Sequence, residues 1–151
     1  MVIFNQCLNI KLNKIQKKLI GFCKSEIEKL ELIINFQVKE NTYDNTFSNV
    51  VEFIIKNKPY LLYRLVRTKN WSIRLDIATK IEQLKIKWLR EKIIIRFSTD
   101  KNNIIRALIS ILPSTPLDVL NKLANDKVPF VAEEAKSNDK LINIYANIKN
   151  Y

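Results

Sequence analysis

The chain has 151 residues, 47% hydrophobic and 27% charged, with a net charge of +11, one glycine, four prolines, two cysteines and no histidine. The lack of histidine excludes imidazole metal sites and triads with a histidine base, and a single glycine excludes a P-loop and a dinucleotide fingerprint. So few turn formers also argue against sandwiches and barrels, and for helices joined by short polar links.

In chain order, residues 5–22 predict a first helix. Leu8, Leu12, Ile15, Leu19 and Phe22 recur at helical spacing, with Lys11, Lys14, Lys17 and Lys18 on the other side. Cys7 and Cys23 lie sixteen residues apart with no secretory signal before them. They read as core thiols of a reducing compartment, not as a disulfide framework or metal ligands. Ser25 and Glu28 form a capping box that opens a second helix carrying Ile27, Leu30, Ile33 and Ile34. The apolar runs at 32–36 and 93–95 are far shorter than the roughly 20 residues a membrane span needs.

Paired helices are expected from there on. Residues 47–56 carry Val50, Val51, Ile54 and Ile55, and Pro59 ends that helix and opens the next, over 59–66. A turn at 68–70 leads to a helix over 72–84, followed by helices over 87–97 and 103–112. The β-branched run Ile93-Ile94-Ile95 makes the helix over 87–97 compete with a strand. Thr115 is expected to cap a helix with Pro116 at its first position, and Val119, Leu120 and Leu123 form its buried stripe. Pro129 opens a helix with Val131 and Ala135 inward, and a terminal helix follows over 141–148.

One frame recurs. Asp126 is followed by Val131 and Ala135, Asp100 by Ile105 and Ile109, Thr68 by Ile73 and Ile77, and Asn45 by Val50 and Ile54. The steps between frames are 23, 32 and 26 residues. A helix pair cannot bury its apolar face alone, so such recurrence points to stacked pairs with a continuous core.

The segment 115–138, with Thr115-Pro116, Leu120, Leu123-Ala124, Asp126, Val131, Ala135 and Asn138, resembles a leucine-rich-variant repeat of the HEAT-like group. Ile73-Arg74 and Ile105-Arg106 resemble the same pattern, in which arginine follows a branched apolar residue; Ala132 and Thr68 depart from it. The resemblance covers about residues 45–138. It implies an all-α, right-handed α-solenoid, with 1–44 and 139–151 as caps of a single domain, and it implies no activity. Asp100 precedes Arg106 by six residues across a turn, so its carboxylate can accept from a helix start or from an arginine. Arg74 and Arg106 are therefore expected to be ladder residues between repeats, not ligand contacts.

Charge is concentrated in the middle. Residues 56–110 hold fourteen Lys or Arg against four acids, and all six arginines and both tryptophans lie there; residues 111–151 are neutral. The segment reads either as a solvated face or as a partner-binding stripe, for which Arg64, Arg67, Lys69, Trp71, Lys87 and Arg90 are the candidate residues. Tyr63 and Trp88 are expected in the core, and Trp71 exposed in a polar turn. Carboxylate pairs such as Glu133-Glu134 do not face each other on a helix, so no catalytic, cofactor or metal residue is expected. The expected function is a non-enzymatic adaptor or assembly module that grips an acidic protein, with nucleic acid as the alternative partner. Peripheral contact of the Lys-rich first helix with anionic membrane is a third expectation. The expected setting is the cytoplasm, or the stroma or matrix of an organelle with an AT-rich genome.

Overall fold

The computed structural model describes residues 45–148, with side-chain surroundings for 50–144, and the isolated helical positions Lys14, Glu28, Lys29 and Leu32. Apart from those four positions, the helix expected over 5–22 and the second helix opened at Ser25, with Cys7 and Cys23, lie outside the described residues. Every regular element among the described residues is helical, so the all-α expectation holds. Contacts divide the chain into two compact units, Met1–Leu61 and Leu62–Tyr151.

In the first unit, α1 spans Asn45–Asn57 and a 3-10 turn follows at Pro59–Leu61. Val50, Val51, Ile54 and Ile55 fall on one stripe and are buried. The helix stops at Pro59, whose ring disfavours helical geometry in the residue before it. The end is closed by Lys58 N–H donating to the Ile54 carbonyl at 2.9 Å and by Asn57 Nδ2 donating to the Phe53 carbonyl at 3.0 Å.

Among the described residues of the second unit there are seven α-helices. They are α2 (Leu62–Leu65), α3 (Trp71–Lys80), α4 (Lys87–Phe97), α5 (Asn103–Ile111), α6 (Leu117–Leu123), α7 (Pro129–Lys136) and α8 (Asp139–Ile148). Helix α3 packs on α5 and α5 on α7; α4 lies against α5, and α6 against α5, α7 and α8. The frame residues Ile73, Ile77, Ile105, Ile109, Val131 and Ala135 are all buried along these contacts, as are Leu120 and Leu123 of α6. Each large aliphatic side chain taken fully from water contributes about 1.5–3 kcal/mol.

Four local expectations are corrected. The helix expected over 72–84 ends at Lys80 and tightens into a 3-10 turn, Ile81–Gln83, closed by Leu84 N–H on the Ile81 carbonyl at 3.0 Å. Thr115 is not a cap: Pro116 occupies the N-cap of α6, and the buried Thr115 donates its Oγ1 hydrogen to the Ile109 carbonyl at 2.6 Å. That carbonyl lies in the last turn of α5, where no i+4 helical donor follows and the C-cap Leu112 N–H reaches it at 3.3 Å. Tyr63 and Trp88 are 42% and 52% exposed, not core residues. Helix α4 buries Leu89, Ile93, Ile94 and Phe97, and this spacing turns Trp88, Lys92, Ile95 and Arg96 outward. The burial of Ile93 and Ile94 also explains why a β-branched run is helical here: it outweighs a propensity deficit of only about 0.5 kcal/mol per residue.

A candidate basic groove

Three short turns precede α3, α5 and α7: Thr68-Lys69-Asn70, Asp100-Lys101-Asn102 and Asp126-Lys127-Val128. In each, the first side chain accepts from the N–H two residues on. Asn70 N–H donates to Thr68 Oγ1 at 3.4 Å, Asn102 N–H to Asp100 Oδ1 at 2.9 Å, and Val128 N–H to Asp126 Oδ1 at 2.9 Å. The helix caps proper are Asn70 and Asn102, which accept from Ser72 N–H at 2.9 Å and Ile104 N–H at 2.8 Å. Asp100 therefore braces the turn two residues before the cap and does not itself cap α5.

The carboxylates are then gripped from the preceding frame. Arg74 donates Nε to Asp100 Oδ2 at 2.7 Å and Nη2 to Oδ1 at 2.9 Å, while its Nη1 reaches the carbonyls of Thr68 at 2.7 Å and Lys69 at 3.1 Å. Arg106 repeats the pattern on Asp126, at 2.7 and 2.9 Å, with Nη1 on the Asp100 carbonyl at 2.7 Å and the Lys101 carbonyl at 3.5 Å. The planar guanidinium suits this fork, and both pairs are largely buried. Arg74 and Arg106 thus each tie the turn before their own helix to the next turn. Arg106 meets Asp100 through the backbone, and the Asp100 carboxylate belongs to Arg74.

Charge follows geometry. Burial pushes the Asp100 carboxyl up, but the Arg74 hydrogen bond, the Asn102 N–H and the charges of Arg74 and Arg96 outweigh it and leave it below its ordinary value. The Arg106 hydrogen bond, with the Val128 N–H and the charges of Arg106 and Lys127, holds the Asp126 carboxyl low against burial. The same Asp126 hydrogen bond raises Arg106.

The ladder leaves other cations outward. Counting from the first turn residue, the fourth position before it is Arg64, Arg96 and Lys122, and the first position after it is Lys69, Lys101 and Lys127. All six are exposed. Within the second unit a groove of about 530 Å³ runs along α4 and α6, lined by Arg67, Lys92, Arg96 and Lys122 with Tyr63, Val66, Ile95 and Val119. Asp118 is the carboxylate among its lining residues. A second groove of about 570 Å³ shares Ser98, Thr99 and Lys122 with the first and adds Lys101 and Lys127. Two exposed aromatic rings carry cations: Arg67 stands 4.6 Å from the Tyr63 centroid and Lys92 5.4 Å from that of Trp88.

Of the six residues chosen from sequence, Arg67 lines the groove. Arg90 is drawn into structure, its Nη1 donating to the carbonyls of Glu82 at 3.2 Å and Leu84 at 3.3 Å and standing 3.6 Å from Glu82 Oε2. Trp71, 46% exposed, is the first residue of α3, and Lys87 is the exposed first residue of α4. Lys69 and Arg64 are exposed on the turn before α3 and on α2. Lys101, Lys122 and Lys127 were not among the six; Lys122 and Lys127 belong to the segment of balanced charge, 111–151. Aligning the frames on Thr68, Asp100 and Asp126 finds them at once.

Among the described residues no group of three or more His, Cys, Asp or Glu side chains is placed to hold a metal ion, and no helix is long and apolar enough to cross a membrane. Compared with known proteins, the chain matches no family model, no curated protein and no solved structure.

Proposed function

We propose that the chain is a non-enzymatic helical-repeat binding module of the HEAT-like, α-solenoid kind, an adaptor that grips an acidic protein through its basic groove. The reading of stacked repeats draws support from the succession α3, α5, α7 and from the two arginine–aspartate forks of matching geometry. The observation that carries the functional reading is the outward cation set Arg67, Lys92, Arg96 and Lys122 around one groove, extended by Lys101 and Lys127. A fixed array of like charges is unfavourable to itself, and an acidic partner relieves it.

The test is association with an acidic peptide and with a single-stranded oligonucleotide, followed by anisotropy against salt. Surface charge attraction is screened beyond about 10 Å at 0.1 M, so affinity should fall steeply with salt. Reversing Lys92, Arg96 and Lys122 to glutamate should abolish it. Tighter oligonucleotide binding, with log affinity linear in log salt, would favour the nucleic-acid reading. Indifference of both probes to salt and to charge reversal would defeat either reading.

A further inference from the structure

The groove is not uniformly polar. Its cations stand around an apolar strip made by Ile95, 46% exposed, the ring of Tyr63, 42% exposed, and the buried edges of Val66 and Val119. An exposed isoleucine between Lys92 and Arg96 on the outward face of α4 has no packing role in the core that Ile93 and Ile94 fill. A purely anionic ligand has no use for such a strip, and burying it would add nothing to the charge attraction. Stacking of successive bases is poorly served, because Trp88 does not line the groove and Lys92 stands over it, which leaves the single ring of Tyr63. Cations over an apolar floor complement a chain that alternates carboxylates with a bulky apolar side chain.

We infer that the groove receives an extended acidic peptide segment with a bulky apolar residue between its carboxylates, the apolar side chain seated on Ile95 and Tyr63 and the carboxylates on Arg67, Lys92, Arg96 and Lys122. This rests on the acidic-partner reading and specifies its ligand. Asp118, one helical turn before Lys122 on α6, disfavours a carboxylate at its own end of the lining and so directs the acids toward the Lys122 end.

The full chain is titrated with three labelled probes: an all-glutamate peptide, the same peptide with one central phenylalanine, and an oligothymidylate of equal charge. The phenylalanine peptide should bind at least about tenfold tighter than the all-glutamate one, the gain expected from burying one aromatic side chain. Ile95→Ser should remove that difference while leaving all-glutamate binding unchanged. Ile95→Val, with the fold checked by circular dichroism, should retain most of it. Equal affinity of the two peptides, or an advantage that survives Ile95→Ser, would overturn the anchored-peptide proposal while leaving the acidic-partner reading intact. Tightest binding by the oligonucleotide would overturn the choice of a peptide, and binding of none of the three would overturn both.

Discussion

Arg106 holds both carboxylate oxygens of Asp126, at 2.7 and 2.9 Å, across twenty residues of sequence, and with its remaining nitrogen it holds the Asp100 carbonyl at 2.7 Å. One side chain thus joins the turn before its own helix to the turn before α7. Removing the guanidinium in Arg106→Met leaves a largely buried carboxylate alone and should cost about 3–5 kcal/mol. Arg106→Met with Asp126→Leu should recover part of that, with a coupling of about 0.5–3 kcal/mol in a denaturation cycle. Simple additivity would show that the fork contributes nothing.

Asp100 separates two kinds of tie. Its carboxylate serves Arg74, and its carbonyl serves Arg106. Asp100→Ala should therefore couple strongly to Arg74→Met and weakly to Arg106→Met, since the carbonyl survives the substitution. The reverse order in two urea-melt cycles would contradict the assignment.

Both fork carboxyls sit below their ordinary value when folded. In the unfolded chain they return to about 3.9, so the unfolded state takes up protons first as pH falls. The stability they contribute is complete above the unfolded value and is lost as pH drops through it and on through the folded values. Between pH 6 and pH 3 the wild-type urea midpoint should fall more than that of Asp100→Asn/Asp126→Asn. Parallel declines would remove these two groups as the source.

Core and turn chemistry give separate stability readings. Leu123, 1% exposed on α6, should cost about 2–5 kcal/mol as Leu123→Ala. Thr115→Val removes only a hydroxyl and leaves the Ile109 carbonyl with the longer bond from Leu112 N–H, at 3.3 Å, so a loss of about 0.5–1.5 kcal/mol is expected. A silent Thr115→Val in a thermal melt would mean that the Leu112 N–H alone suffices for that carbonyl.

Charge reversal needs a well-chosen control. Lys140 Nζ donates to the Thr115 carbonyl at 2.8 Å, so Lys140→Glu should reduce stability and is a poor neutral control. Lys136, exposed at the end of α7, should tolerate Lys136→Glu within about 0.5 kcal/mol and leave acidic-peptide affinity nearly unchanged. An effect as large as that of Lys92→Glu, measured by anisotropy at one salt concentration, would show that binding follows net charge and not the groove.

Most helix positions were legible in sequence because apolar spacing and proline placement act locally. Pro59 and Pro129 marked their boundaries, and α4 matched its expected span of 87–97. The ladder was legible in its residues but not in its partners, since Arg74 and Asp100 meet only through the packing of α3 on α5. Trp88 was misplaced for a similar reason: hydrophobicity suggested burial, while the i, i+4 stripe of Leu89, Ile93 and Phe97 had already taken the inward face. The groove was only partly visible. Lys92 and Arg96 stood in the basic stretch, but Lys122 belonged to a segment of balanced charge, and only its place four residues before Asp126 connects it with Arg96.

The two forks close with matching bond lengths although their partners are 26 residues apart in one case and 20 in the other. The clamp therefore sets register where one turn meets the next and is indifferent to how much chain runs between them. Length can be gained or lost in the intervening helix and link, as it is between Arg74 and Asp100 compared with Arg106 and Asp126, without resetting neighbouring turns. The links near Gln83 and Pro113 are held by a separate tie, Ser114 N–H and Oγ donating to Glu82 Oε1, so a change of length there should loosen that tie first and leave both forks made.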